Sequence, residues 1–224
     1  RRGSQIRAES LMALASLGIT QIHVFKKPTV AILATGKELV SPQTKSLTSG
    51  MIRNSTSVYL KTALGHLGAQ VVDAQLMGDS IDYFKNYVQK IFDQKINILV
   101  TTGAVSMGVF DFVVPTLLEM GAKIVFHKVA IRPGKPILLA TMTNSVGHQL
   151  IIFGMPGNPV SSAVGLRFFL APYLRQLNAR ELEPSIPMKL TKTINKPQGL
   201  QCFYKARIER VGNKLEANAS LGQG

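Results

Sequence analysis

From Thr29 to about Leu177 the chain alternates between short strand-like runs and amphipathic stretches, and this alternation constrains its fold more than any other feature. Val30–Ala34, Ala69–Leu76, Ile96–Thr102 and Lys123–Val129 read as strands. Between and after them, helices are expected over 54–67, from Asp79 or Ser80 to Asp93, over 111–120 and over 160–177. Asn54 or Ser55 supplies the first cap and Gly68 the stop, while either Asp79 or Ser80 caps the second helix. Strand–helix units of this length return the chain to the same sheet through a helical crossover. The expected fold is therefore α/β, a doubly wound, mostly parallel sheet with helices on both faces. Pro136–Thr141 and Gln149–Phe153 flank a polar turn at 144–147 and read as a hairpin at a sheet edge.

The flanks have a different texture. Residues 4–17 read as a short amphipathic helix with Ile6, Leu11, Leu14 and Leu17 near one face and Gly18 as its stop. Gln21–Phe25 follows as a short strand, and Lys26-Lys27-Pro28 marks a boundary. Beyond a linker at Glu181–Pro187, the segments Met188–Ile194, Cys202–Val211 and Lys214–Ala219 alternate like antiparallel strands, with Gly212-Asn213 as a turn. The expected units are 1–27, a helix-strand piece; 28–178, the α/β domain; and 186–224, a partial C-terminal β-domain.

Composition narrows the partners. The formal net charge of +14, from 26 basic and 12 acidic residues, favours anionic ligands. Nucleic acid is not expected, because basic residues form no aromatic-interleaved stripe and there is no tryptophan to stack on bases. A single cysteine, Cys202, rules out an intrachain disulfide framework, and the four scattered histidines have no zinc spacing. No apolar run has the length of a membrane span and no secretory leader is evident, so a cytoplasmic protein is expected.

The chemistry gathers at loops. Thr101–Asp111 is a glycine- and serine-containing turn between a strand and a helix, the kind of backbone that lets N–H groups approach an anion. Open α/β sheets bind ligands beyond the carboxyl ends of their strands. Five such exits carry Glu38, Asp79 and Asp111 as acids and Lys128, Arg132 and Lys135 as bases, a mixture suited to phosphates with a divalent cation. Each has a plainer reading: Asp79 and Asp111 as helix-start acids, Glu38 as a solvated loop acid, Pro133-Gly134 as a rigid turn, and Pro159 as a first helical residue. Neither a dinucleotide fingerprint nor a P-loop occurs, and no serine sits in a nucleophile arrangement.

Thr35-Gly36-Lys37-Glu38-Leu39, Gly50–Ser55, Thr102-Gly103-Ala104-Val105-Ser106-Met107-Gly108, Arg132-Pro133-Gly134-Lys135-Pro136 and Pro156-Gly157-Asn158-Pro159-Val160-Ser161 together resemble the MoeA family of molybdopterin molybdenumtransferases, which includes the E domain of gephyrin. The resemblance implies insertion of molybdate into adenylylated molybdopterin with release of AMP, aided by Mg²⁺, in a homodimer. Carried over by motif, Glu38, Asp79, Asp111, Lys128 and Lys135 are the implied catalytic residues, the three acids also being the metal ligands. Substrate binding is implied for Thr35, Gly36, Thr102, Gly103, Ser106, Gly108, Arg132, Pro133, Gly134, Pro156, Gly157, Asn158, Pro159 and Ser161. Lys37, Ala104, Val109 and Arg132 depart from the usual residues: an acid or asparagine, a second glycine, a polar residue and a lysine. A MogA/MoaB-like molybdopterin adenylyltransferase and a non-catalytic scaffold module are the alternatives the same sequence leaves open.

Overall fold

The computed structural model describes residues 2–103 and 112–220. Its centre is a sheet of six strands in the order β4-β1-β5-β9-β8-β6: β1 (Thr29–Thr35), β4 (Gln70–Met77), β5 (Ile98–Thr102), β6 (Lys123–His127), β8 (Leu138–Thr143) and β9 (Gln149–Met155). Strands β4, β1, β5 and β9 run parallel, β8 runs antiparallel between β9 and β6, and the expected mostly parallel α/β sheet is present. Two short strands, β2 (Leu39–Val40) and β3 (Ile52–Arg53), pair with each other after β1.

Strand alternation divides the core in two. Ala31, Leu33, Leu99 and Ile152 face one side with Phe84, Val88 and Ile91 of α3 (Ile81–Asp93) and Leu117 of α4 (Val113–Glu119). Val30, Ile32, Ile98, Val100 and Phe153 face the other, against Leu60 and Leu64 of α2 (Ser55–His66) and Leu170 and Leu174 near the end of the sheet domain. Because β1, β5 and β9 are covered on both faces, their sequences read as continuous apolar runs rather than alternating ones. The helix expected over 160–177 is divided into α5 (Pro159–Gly165), a π-helical turn (Leu166–Leu170) and α6 (Ala171–Leu177). Pro172 explains the break: it lacks an N–H and its ring crowds the carbonyl four residues back, so the preceding turn widens.

The flanks depart further from expectation. Helix α1 (Ala8–Ser16) forms but buries no residue. Gln21–Phe25 is not a strand; among the described residues it pairs with no other strand, and Ile22, Val24 and Phe25 stay exposed. In the C-terminal part, Met188–Ile194 shrinks to β10 (Lys189–Leu190), which pairs with β13 (Lys214–Ser220) beside β12 (Lys205–Val211). The strand expected over 202–211 is broken. Its first residue, Cys202, joins Gln201 in β11 (Gln201–Cys202), which stands apart from the C-terminal sheet and pairs with β7 (Ile131–Arg132) of the α/β domain.

Candidate functional site

The register aligns the strand exits. Thr35 is opposite Met77, Ala34 opposite Thr102, Thr102 opposite Met155, and His127 opposite Leu138, itself opposite Gly154. Gly36–Glu38, Gly78-Asp79, Gly103, Pro156–Asn158 and Lys128 therefore leave the sheet along one edge, as the crossover argument requires. The edge is long: at about 4.8 Å between neighbouring strands, β4 and β6 stand roughly 24 Å apart. Asp79 and Lys128 thus lie at opposite ends of the row, and the ligand-sized centre falls at β1, β5 and β9.

That centre is built from close backbone contacts. Gly103 sits at φ +87°, and a Cβ there would lie 2.3 Å from the Thr35 carbonyl oxygen and 2.8 Å from Thr35 Oγ1. Only glycine allows the exits of β1 and β5 to touch in this way. Gly103 N–H donates to Met155 O (3.1 Å), and the buried Thr35 hydroxyl donates to Thr102 O (3.1 Å), tying three exits together. Gly157 continues the ledge, since a Cβ on it would be 3.5 Å from Gly103 Cα. On the other side the Glu38 carboxylate folds over Gly36, whose added Cβ would meet both carboxylate oxygens at 2.9 Å.

The cationic turn joins this ledge through α5. A Cβ on Gly134 (φ +102°) would lie 3.6 Å from Ser161 O and 3.7 Å from a Val164 methyl carbon, so the Arg132–Lys135 turn rests on the start of that helix. Val129 N–H donates to Lys135 O (2.8 Å) and Lys128 N–H to Ile137 O (3.0 Å), closing the turn on itself. The Arg132–Pro133 peptide is cis. Lys128, Arg132 and Lys135 are all exposed, so their charges face solvent at one end of the ledge. Lys128 holds φ +67°, a backbone conformation that costs a non-glycine residue on the order of 1 kcal/mol and marks a constrained position.

Several plainer readings are decided by hydrogen bonds. Ser80, not Asp79, caps α3, its hydroxyl accepting from Tyr83 N–H (3.3 Å), so Asp79 has no capping duty. Asn54 caps α2 by accepting from Ser57 N–H (3.1 Å). Asn158 does act as a cap: its Oδ1 accepts from Val160 N–H (3.0 Å) and Ser161 N–H (3.1 Å), with Pro159 opening the helix. Pro156 and Ser161 are buried, so of this motif Gly157, Asn158 and Pro159 meet solvent. Ser106, Gly108 and Asp111 lie outside the described residues, as do the departures Ala104 and Val109.

Among the described residues no three His, Cys, Asp or Glu side chains are grouped to hold a metal ion. Glu38 and Asp79 follow adjacent strands, and Mg²⁺ commonly takes only one or two carboxylates with the rest of its shell from substrate phosphates and water. The pair is thus compatible with a substrate-completed site rather than a closed protein cage. A cavity of about 670 Å³ opens elsewhere, at the opposite edge of the sheet, between Lys26, Lys27, Lys95, Asn97 and Tyr173. Helices α3 and α6 both end beside it.

Two contributors escaped the sequence reading. Ser162 is fully buried and its hydroxyl donates to Pro156 O (2.6 Å), locking the turn that presents Gly157; the only local signal was a second serine after the cap. Gln201–Phe203 reaches the cationic turn from seventy residues away, with Phe203 N–H donating to Arg132 O (2.8 Å), and nothing local in the sequence announces that partner.

Comparison with known proteins gives this geometry a context. Residues 31–176 match the family described as "Probable molybdopterin binding domain". The chain is 38% identical over 211 residues to the molybdopterin molybdenumtransferase of Synechococcus elongatus, covering 94% of this chain and 51% of that protein. It is 31% identical over 218 residues to the molybdopterin molybdenumtransferase of Bacillus subtilis, covering 96% and 49%. The solved molybdopterin biosynthesis MoeA protein from Pyrococcus horikosii shares the fold, with a TM-score of 0.75 at 22% identity, covering 99% of this chain and 52% of the other. The chain therefore spans about half the length of the curated relatives it matches. The matched stretch contains the whole glycine-threonine ledge and the cationic turn that meets it, and this chain belongs to the molybdopterin-binding domain family, with MoeA-type molybdopterin molybdenumtransferases among its homologues.

Proposed function

We propose that this chain forms the substrate-binding α/β part of a cytoplasmic molybdopterin molybdenumtransferase, which inserts molybdate into adenylylated molybdopterin and releases AMP. The observation that carries the reading is the contact chain from Thr35 through Gly103 and Gly157 to the Arg132–Lys135 turn. It sets closely approachable backbone beside three exposed cationic side chains. Lys128, Arg132 and Lys135 would hold the oxyanion and phosphate groups, and the ledge would let the ligand lie against main chain without side-chain obstruction. Glu38 and Asp79 would hold Mg²⁺ together with substrate phosphate, where the ion neutralises phosphate charge. Rate enhancement in such a site is chiefly positioning and electrostatic stabilisation. The exposed apolar residues Leu11, Met12 and Leu17 of the N-terminal region support pairing of the full-length protein into a homodimer.

Titration calorimetry with molybdate and, separately, AMP tests the reading. Binding should weaken in Lys135→Ala and as salt rises, because the attraction is carried by exposed charge. Affinity that is unchanged in both experiments refutes it.

A further inference from the structure

We propose that Phe203 is a positioning residue for the Arg132–Lys135 turn, setting the cations that the proposed anion site uses. The inference rests on that site reading and assigns a role to a residue outside the motifs that define it.

Among the described residues, no carboxylate pairs with Arg132 or Lys135, and Arg132 has an electrostatic contact with Tyr204, next in sequence to Phe203, so their placement depends on the main chain beneath them and on the segment that pairs with it. Most hydrogen bonds of the turn are internal, as between Val129 and Lys135 or Gly134 and Ile137. The long-range main-chain bonds come from β11: Gln201 N–H donates to Ala130 O (2.9 Å) and Phe203 N–H to Arg132 O (2.8 Å). They flank Ile131 and hold the Arg132 carbonyl directly. What keeps β11 there is the Phe203 ring. It stacks on Phe168 of the π-helical turn, with centroids 4.0 Å apart and planes 23° from parallel, and it packs against the cluster of Ile131, Ile137 and Val164. Because successive side chains of an extended segment point to opposite sides, Cys202 and Tyr204 lie away from this contact and Phe203 alone makes it. Without the ring, the segment loses its apolar anchor and is joined to the turn chiefly by main-chain bonds, and Arg132 and Lys135 must be ordered at the expense of binding.

The test is calorimetric titration of the 224-residue chain with molybdate and, in parallel, AMP, with affinity counted per folded molecule from urea melts. Phe203→Ala should weaken binding roughly tenfold, about the effect of freeing one or two ordered side chains. Phe203→Tyr, which keeps the ring, should restore affinity to about twofold of the parent. Phe168→Ala should reproduce the loss, and serves in place of Phe203→Ala should that variant not fold. Leu215→Ala, on the exposed face of β13, should leave affinity unchanged. Wild-type affinity in folded Phe203→Ala or Phe168→Ala, or an equal loss in Phe203→Tyr and Phe203→Ala, overturns the proposal. Lys135→Ala separates the two readings. If it weakens binding while the phenylalanine variants do not, the positioning role alone falls; if it has no effect, the anion site falls and the positioning role with it.

Discussion

Replacing Gly103 by alanine is expected to damage both the fold and the ledge, by an amount the geometry allows us to work out. At φ +87° an alanine incurs about 1–2 kcal/mol for the left-handed backbone alone. Its methyl carbon would stand 2.3 Å from Thr35 O, roughly 1 Å inside ordinary contact, and that nearest atom is main chain that cannot rotate away. The exits of β1 and β5 must then separate, which strains the Thr35 Oγ1–Thr102 O and Gly103 N–Met155 O bonds, each worth about 1 kcal/mol. The sum is a loss of about 2–4 kcal/mol, or roughly 5–15 °C in melting temperature for a chain of this size. Gly65→Ala is the control: it lies near the end of α2 with no atom within 4 Å of the added Cβ and should be neutral or stabilise by up to about 1 kcal/mol. Urea melts of both variants, followed by titration of folded Gly103→Ala with molybdate, make the comparison. If Gly103→Ala matches the parent within about 0.5 kcal/mol and binds the anion equally well, the two exits do not need glycine to touch and the ledge argument is wrong.

Ser80→Ala should cost about 1 kcal/mol by removing the cap of α3, whereas Asp79→Asn should leave the melting temperature nearly unchanged and lower Mg²⁺-dependent turnover in the full-length protein. A stability loss in Asp79→Ala as large as that in Ser80→Ala would return Asp79 to a capping role. Glu183 accepts a hydrogen bond from Arg167 and also pairs with Arg175, and these cations hold its carboxyl below the ordinary value of 4.5. A depressed folded-state value means the stabilisation is complete above the unfolded carboxylate's titration and is lost as pH falls through the folded one. Glu183→Gln should therefore melt slightly below the parent at neutral pH, by at most about 1 kcal/mol for so exposed a pair, and converge with it in acid. A gap that persists at pH 3 would show that the difference is not the ion pair.

The sequence by itself determined the α/β sheet, because period and length are local properties. Val30–Ala34 and Ile96–Val100 are too apolar to lie anywhere but between two helical layers, and Pro159 marks a helix start through its own ring. The candidate residues were legible too, since glycines and prolines at strand exits mark the backbone they require. Whether Asp79 or Ser80 capped α3 was not legible, because both are good caps one residue apart and only the helix start decides. Tertiary structure alone also fixed which exits meet. That Gly103 touches Thr35 and Gly134 rests on Ser161 follows from strand order, which depends on pairings between distant segments, 67 residues apart for Thr35 and Thr102. The fate of isolated strand-like segments was undetermined for the same reason. Gln21–Phe25 and Gln201–Cys202 are similar short runs, yet among the described residues the first pairs with no strand, while the second finds β7 and becomes a strand. A strand's hydrogen bonds belong to its partner as much as to itself, so its existence is settled only when the rest of the chain has folded.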